Sequence, residues 1–420
     1  MKVRYVYSAC VVIESPDLRI LCDPWFTPGA YDGSWYQWPA IDSPIDTIGP
    51  VDLIYISHIH PDHYDPDFLR HYLGRFPNAR IVIGRQPPPI LERKLAADGF
   101  GFEVLQHRRF GATDLWVLTN CARTVNIDTA LIVRWEQQSV VNLNDNPFDP
   151  TQVAAIRALT QGSTIFALLP YGGATAHPQT FAFATEADLL EAARAKERHF
   201  LDIFHQYIDA LDPHKVLPFA GQYWLGGPLR QLNKYRGIPD ALTAAEEASG
   251  RGVVLADGGE AYFDLDDMTA SDLRTEPYNP RAAEAYLASM AFPGYTYERE
   301  LRPDPGRAWP LLSLLNAALP QARKRKLVQS THWFCLHADG EPGVLTFDAA
   351  NSEPATVSDP AILESLTPRL EIVIDPRYLF GLLSRMYHWN NALIGSHYRC
   401  KRVPDVFRRD AFDFLDYLQV

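Results

Sequence analysis

The sequence predicts a layered α/β fold over residues 1–260, with two sheets covered by helices, and a smaller α+β unit over residues 261–420. Three observations lead there. Short apolar runs alternate with helix-like segments along the first part. Each run closes on turn residues. Near residue 258 the composition shifts to a proline- and tyrosine-rich stretch, after which a second set of elements begins. A length of 420 residues accommodates two such units, and 47% hydrophobic with 21% charged residues is ordinary globular composition.

In chain order, VRYVYSACVVIES (3–15) reads as one strand, joined through Pro16-Asp17 to the strand LRILCDPWF (18–26). VDLIYISHI (51–59) is the next. DPDFLRHYLGRF (65–76) reads as a helix with Pro66 near its start and Leu69, Tyr72 and Leu73 on one face. ARIVIG (79–84) is a strand, and RQPPPILERKLAADG (85–99) a proline-initiated helix closed by Gly99. TDLWVLTN, TALIVRW, SVVNLND and STIFALLPYGG are further strands, the last ending in a glycine-rich loop. A helix over about 184–211 leads to the strand HKVLPFAG (214–221). The segment FPGYTYERELRPDPGRAWP (292–310) is rich enough in aromatics to require burial, so it is expected to cross between units rather than form a free linker. Beyond it come a helix over 309–323 ending in the basic RKRK, the strands HWFCLHAD, GVLTFDAA and RLEIVIDP, and helices near 376–390 and 410–419. The basic helix end complements the helix dipole.

The net charge of −12 excludes a broad nucleic-acid footprint, which needs clustered basic charge. Cys10, Cys22, Cys121, Cys335 and Cys400 are scattered with no CxxC pair, which points to a reducing, cytoplasmic setting. No apolar run approaches membrane-spanning length, and MKVRYVYSACVVIES reads as a first strand rather than a signal peptide.

The chemistry concentrates at His58, His60, Asp62 and His63, an H-x-H-x-D-H pattern directly after an apolar strand. On extended backbone, residues two apart face the same side, so His58 and His60 can grip one ion. The chain turns at Pro61, and Asp62 and His63 face a neighbouring position. Imidazole and carboxylate together suit zinc, iron or manganese. Chance clustering is a poor account when only 13 histidines are spread over 420 residues.

This motif, with the preceding LRILCDPWF and the strand order, resembles the metallo-β-lactamase superfamily. The resemblance implies an αβ/βα sandwich with a metal site at one edge, Asp23 as a supporting residue, and Asp145 as the bridging carboxylate. A nearer resemblance is to the CMP-N-acetylneuraminate hydroxylase branch. DPWFTPGAYDGSW, DLIYISHIHPDH, VVNLND, PYGGATAHPQTF and VLPFAGQYW look like its landmarks in order, over roughly residues 1–230. That branch carries a Rieske iron–sulfur domain, which needs C-x-H followed by C-x-x-H. Cys335-Leu336-His337 supplies only the first half, so no Rieske cluster is expected in this chain and electrons would come from a separate donor or co-substrate. The superfamily's third histidine is replaced by a stretch offering Cys121, Thr124, Asn126 and Asp128. The final histidine is missing after VLPFAG, with His177 as the substitute. His199 and His205 read as helix-face residues, and His332, His337, His388 and His397 as too dispersed for a second site.

Trp25, Tyr31, Trp35 and Tyr36 form an aromatic loop that either stacks a flat or cyclic ligand or packs as core against the second unit. Arg230 and Lys234, near Gly226 and Gly227 and followed by Arg236, either hold a phosphate or carboxylate or form a solvated basic face. Three functions compete. The first is a non-haem iron oxygenase, with one or two irons, acting on a polar small molecule such as a nucleotide sugar. The second is a zinc hydrolase of an ester, phosphoester or lactone in which Asp62 orients the water. The third is a binding protein on a degraded enzyme fold, and four clustered polar donors count against it.

Overall fold

Residues 2–22 fold back on themselves twice, and this meander starts the first sheet. The computed structural model describes residues 1–122, 127–302, 308–325 and 329–420. The stretch expected as one strand is a hairpin, Lys2–Tyr7 against Cys10–Glu14, turned at Ser8 with φ 49°. Arg19–Cys22 then pairs antiparallel with Cys10–Glu14. Leu53–Ile56, Arg80–Ile83 and Phe102–Val104 continue the sheet in parallel. Tyr262–Asp264 and Thr269–Ala270 extend its other edge, so the first unit reaches past the expected boundary at 260.

The second sheet runs Lys215–Phe219, Thr164–Pro170, Gln138–Asn142, Thr129–Trp135, Thr113–Thr119, His107–Phe110. Its first three strands are parallel. The sheets pack face to face through Val11, Ile20, Leu115, Leu131, Phe166 and Phe263. Helix Pro66–Arg75 covers the outer face of the first sheet with Phe68, Leu69 and Tyr72, aided by Leu91 and Leu95 of helix Ile90–Ala97. Asp65 caps the former by accepting from the Phe68 amide. Helices Pro150–Thr160 and Glu186–Leu211 cover the second sheet with Ile156, Phe204 and Tyr207. The result is the expected αβ/βα order of layers.

Phe166 is fully buried and stacks on Phe263 with ring centroids 4.2 Å apart. Phe166→Ala is expected to lower stability by about 3–5 kcal/mol, read as a shift in urea midpoint at unchanged slope. A loss under about 1 kcal/mol would mean that this contact is not central to the sandwich.

The C-terminal unit has a five-stranded sheet, among the described residues, in the order Thr356–Ser358, Val344–Asp348, Trp333–Ala338, Arg369–Ile374, Tyr398–Val403. Helices Leu311–Arg323, Pro376–Leu383 and Arg409–Asp416 share its apolar core. The tyrosine-rich crossing segment is buried where it meets that core, through Tyr295 and Tyr297. The region expected as one helix near 376–390 is two, the second being Trp389–Ile394. That short helix faces the first unit. Of the basic run, Lys326 lies outside the described residues.

Candidate metal centre

Strand Leu53–Ile56 and strand Gln138–Asn142 belong to different sheets, and both end at the same edge of the sandwich. The first delivers His58, His60, Asp62 and His63 on the following turn. The second delivers Asp145 through a short turn in which Asn144 is left-handed, with φ 43°. His58 Nε2 and His60 Nδ1 lie 2.8 Å apart. Asp145 Oδ2 is 3.7 Å from His58 Nε2 and 3.6 Å from His63 Nε2, and Asp62 Oδ2 is 3.6 Å from His63 Nε2. One oxygen of Asp145 therefore faces both the His58/His60 pair and the Asp62/His63 pair. Among the described residues, His58, His60 and Asp145 are the one group whose donor atoms all lie within 4.8 Å of one another.

Supporting contacts aim these donors. Asp23 is fully buried, accepts the Ser57 amide at 2.7 Å, and holds His63 Nδ1 at 3.1 Å, leaving His63 Nε2 for the site. Ser57 Oγ holds His58 Nδ1 at 2.9 Å, with Asp128 at 3.9 Å. Asn390, from the C-terminal unit, meets His60 Nε2 with its carbonyl oxygen at 3.0 Å. An amide oxygen only accepts, so Nε2 carries the hydrogen and Nδ1 keeps its lone pair toward the site. Asn390→Ala is expected to weaken metal affinity by about 10–100-fold, read by competition with a chromophoric chelator. Unchanged affinity would show that Asn390 does not orient His60.

The residues fit a cation. Burial, reinforced by the His63 and His60 rings, holds His58 well below the ordinary imidazole range, so it is the neutral ligand form. Burial would lower His63 too, but Asp145, Asp62 and Asp23 overcome it and push the ring up to about 10. Burial, partly countered by His63, raises Asp145. Asp145 Oδ1 is buried with no hydrogen-bond partner. Clustered carboxylates, the neutral His58 and His60 rings and an orphaned buried oxygen are what a bound metal would satisfy.

Tyr31 closes the site from one side by donating to Asp62 Oδ1 at 2.5 Å. Tyr31 and Asp32 have left-handed backbone, with φ 52° and 57°. Such strain persists only where the surroundings hold it. Here His397 Nε2 donates to the Tyr31 carbonyl at 2.7 Å, and the Tyr378 hydroxyl donates to Asp32. The C-terminal unit thus braces the metal centre rather than only covering it. Trp35, Gln222, Tyr223 and Gly173 line a narrow cleft that opens on Asp62 and Asp145, with about 10 Å³ of room, the space of a single water. A wider hollow of about 670 Å³ between Arg85 and Arg108 holds none of the donors.

Several expected site residues lie elsewhere. The His177 ring packs against Phe181 and Phe183, outside the donor group. Cys121 is exposed; Thr124 and Asn126 lie outside the described residues. His205 pairs with Glu247 on the long helix. Trp25, Tyr31, Trp35 and Tyr36 are buried, so the aromatic loop is core; Trp35 reaches the cleft, Tyr31 reaches Asp62, and Tyr36 packs with Trp224 and Leu287. Arg230 and Lys234 are exposed and paired with Glu284 and Glu186, which makes them a solvated face. The buried cation of that segment is Arg236.

Residues 2–152 match the family model of the beta-lactamase superfamily domain, a span that contains every donor named above. This part of the chain, less than half of it, is similar to that domain. A relative from Mycolicibacterium smegmatis, named as a Rieske 2Fe-2S iron-sulfur protein, is 33% identical over 253 residues, 57% of this chain and 47% of its own length. The cytidine monophosphate-N-acetylneuraminic acid hydroxylase of Danio rerio is 27% identical over 234 residues, 52% of this chain and 38% of its own. The chain thus spans about half or less of the curated relatives it matches. Among solved structures, CmlA, a diiron β-hydroxylase from Streptomyces venezuelae, aligns at 15% identity over 59% of this chain and 51% of its own. Its TM-score of 0.40 is too low to bear on mechanism. No helix among the described residues is long and apolar enough to cross a membrane.

Proposed function

We propose that this chain is a metal-dependent hydroxylase with one or two irons, acting on a polar small molecule such as a nucleotide sugar and drawing electrons from a separate donor. The single observation that carries the reading is Asp145 standing between the His58/His60 and Asp62/His63 positions. The relatives named as hydroxylases support the choice of reaction. His58, His60 and Asp145 would hold one ion, and His63, Asp62 and Asp145 a second. Bound iron would supply dioxygen binding at positions these few donors leave open.

The chain's own residues do the rest. Tyr31 holds its proton at Asp62 Oδ1, which keeps that carboxylate oriented and gives the site one exchangeable proton. Burial and the Asp62 charge hold the Tyr31 phenol neutral. Trp35 stacked on Tyr223, with centroids 3.5 Å apart, walls the cleft and excludes bulk water. The cleft, about 10 Å³, is too tight for a nucleotide sugar as it stands, so such a substrate would need it to widen.

A zinc-dependent hydrolase of an ester, phosphoester or lactone is the second reading. Its support is Asp62, whose Oδ1 is engaged by Tyr31 while Oδ2 faces His63 and could orient a water. Isotope labelling separates the two. The iron-loaded chain, given a chemical reductant and a panel of nucleotide sugars, should place one atom from ¹⁸O₂ in the product. Label entering only from H₂¹⁸O, with no oxygen consumed, would replace the hydroxylase with the hydrolase.

A further inference from the structure

We propose that Arg236 and Lys196 form a buried subsite for a compact oxyanion, a carboxylate or phosphoryl group carried by the molecule that enters the cleft. This names the substrate's charge class for the site described above, and to that extent it rests on the proposed function.

Both cations are 7% exposed. Neither has a carboxylate within ion-pair distance among the described residues. Arg236 donates from Nε to the Asn233 carbonyl at 3.2 Å, and its Nη1 is buried without any partner. The groups that surround its charge are the hydroxyls of Tyr223, Tyr7 and Tyr171. Burial, with Asp257 among the neighbours of Tyr7 and Asp240 among those of Tyr171, holds these phenols neutral. Lys196 donates to the Thr175 carbonyl at 2.9 Å. The one carboxylate it feels, Glu197, lies among Arg194 and Arg198 and makes no ion pair with it. Burial and the Arg236 charge pull the Lys196 amine down to about 7. The same burial that lowers it shows how poorly this place tolerates two cations without an anion.

Their position connects them to the cleft. Two loops wall it, Gly172–Ala174 and Gly221–Tyr223. Lys196 is tied to the first through Thr175. Arg236 lies over the second, its guanidinium carbon 5.1 Å from the Tyr223 ring centre and 4.4 Å from that of Trp224. Tyr223 in turn stacks on Trp35. Gln222 Nε2, on the cleft wall, is a further buried donor without an acceptor. The Tyr223 hydroxyl and Gln179 Oε1 are also buried without a partner. What remains unanswered is Arg236 Nη1, Gln222 Nε2 and the Trp224 Nε1–H beside Arg236, all donors and one of them charged, and the partner they share in kind is an acceptor with negative charge. Stacking on aromatic rings returns less than an unpaired buried guanidinium costs. Gly237 keeps the pair close: a Cβ there would meet the Ala193 carbonyl at 2.6 Å and Lys196 Cβ at 3.0 Å.

The test is thermal denaturation and calorimetric titration of the metal-loaded full chain with inorganic phosphate and with acetate, against chloride at equal ionic strength. The wild-type chain should show saturable binding with a rise in Tm of about 3–6 °C. Arg236→Met and Lys196→Met should each weaken that binding at least tenfold. In chloride alone the two variants should melt at or about 2–4 °C above wild type, because a buried unpaired charge is gone. Response to phosphate alone assigns a phosphoryl group, and to acetate alone a carboxylate. The subsite is overturned if neither anion binds saturably, if the variants bind as well as wild type, or if both variants melt well below wild type in chloride, which marks a purely structural role. Metal content is measured on the same samples. Metal retained without an anion response sinks only the subsite, and an anion response without metal sinks only the metal reading.

Discussion

Asp145→Asn is expected to lower metal affinity by more than about 100-fold, beyond the range for outer supporting residues, and to abolish turnover with it. Asp145 Oδ2 lies within 3.7 Å of His58 Nε2 and within 3.6 Å of His63 Nε2, so one substitution removes charge from both positions. The fold should survive. Asp145 Oδ1 has no hydrogen bond to lose, and the turn amide that orders the residue bonds to Asn144 rather than through the carboxylate. Elemental analysis with circular dichroism checks both halves. A folded variant with wild-type metal content would remove Asp145 from the centre.

Asp23→Ala is expected to lower stability by about 3 kcal/mol and metal affinity by about 10–100-fold. The carboxylate is fully buried and answers both the Ser57 amide and His63 Nδ1. Its loss leaves a buried amide unpaired and His63 free to turn. Alanine also suits the left-handed backbone at this position poorly, at φ 41°. Asp23→Asn tolerates that backbone and keeps an acceptor, so it should recover most of the stability while still weakening metal binding. Equal losses in both variants would mean that backbone strain plays no part, and full metal affinity in Asp23→Ala would mean that it does not orient His63. Denaturant titration and chelator competition give the two numbers.

The donors were legible where chemistry is contiguous. His58, His60, Asp62 and His63 occupy one turn, so local pattern is enough to find them, whereas Asp145 and Asp23 are picked out through the resemblance to the metallo-β-lactamase superfamily. Contacts between sequence-distant residues were not. Asn390 reaches His60 across 330 positions and His397 reaches Tyr31 across 366, and neither residue sits in a motif. The aromatic loop shows the limit of composition: Trp25 and Tyr36 have the same residue types as a ligand platform, and burial alone makes them core. The turn at Ser8 lacks a glycine or proline to announce it, and Tyr262–Asp264 is too short a strand to show a period, so local pattern reveals neither the break in the first strand nor the reach of the first unit past 260. Arg236 was overshadowed by Arg230 and Lys234, because three basic residues in a row of seven look alike until two of them find surface carboxylates.

The account rests on His58, His60, Asp62, His63 and Asp145 holding catalytic metal. The most direct measurement is metal content of the chain after iron-supplemented expression, with the optical spectrum recorded before and after anaerobic reduction and again on exposure to oxygen. One or two irons per chain are expected, with a band that responds to oxygen. A chain that retains no metal, from iron- or zinc-supplemented growth, would contradict it.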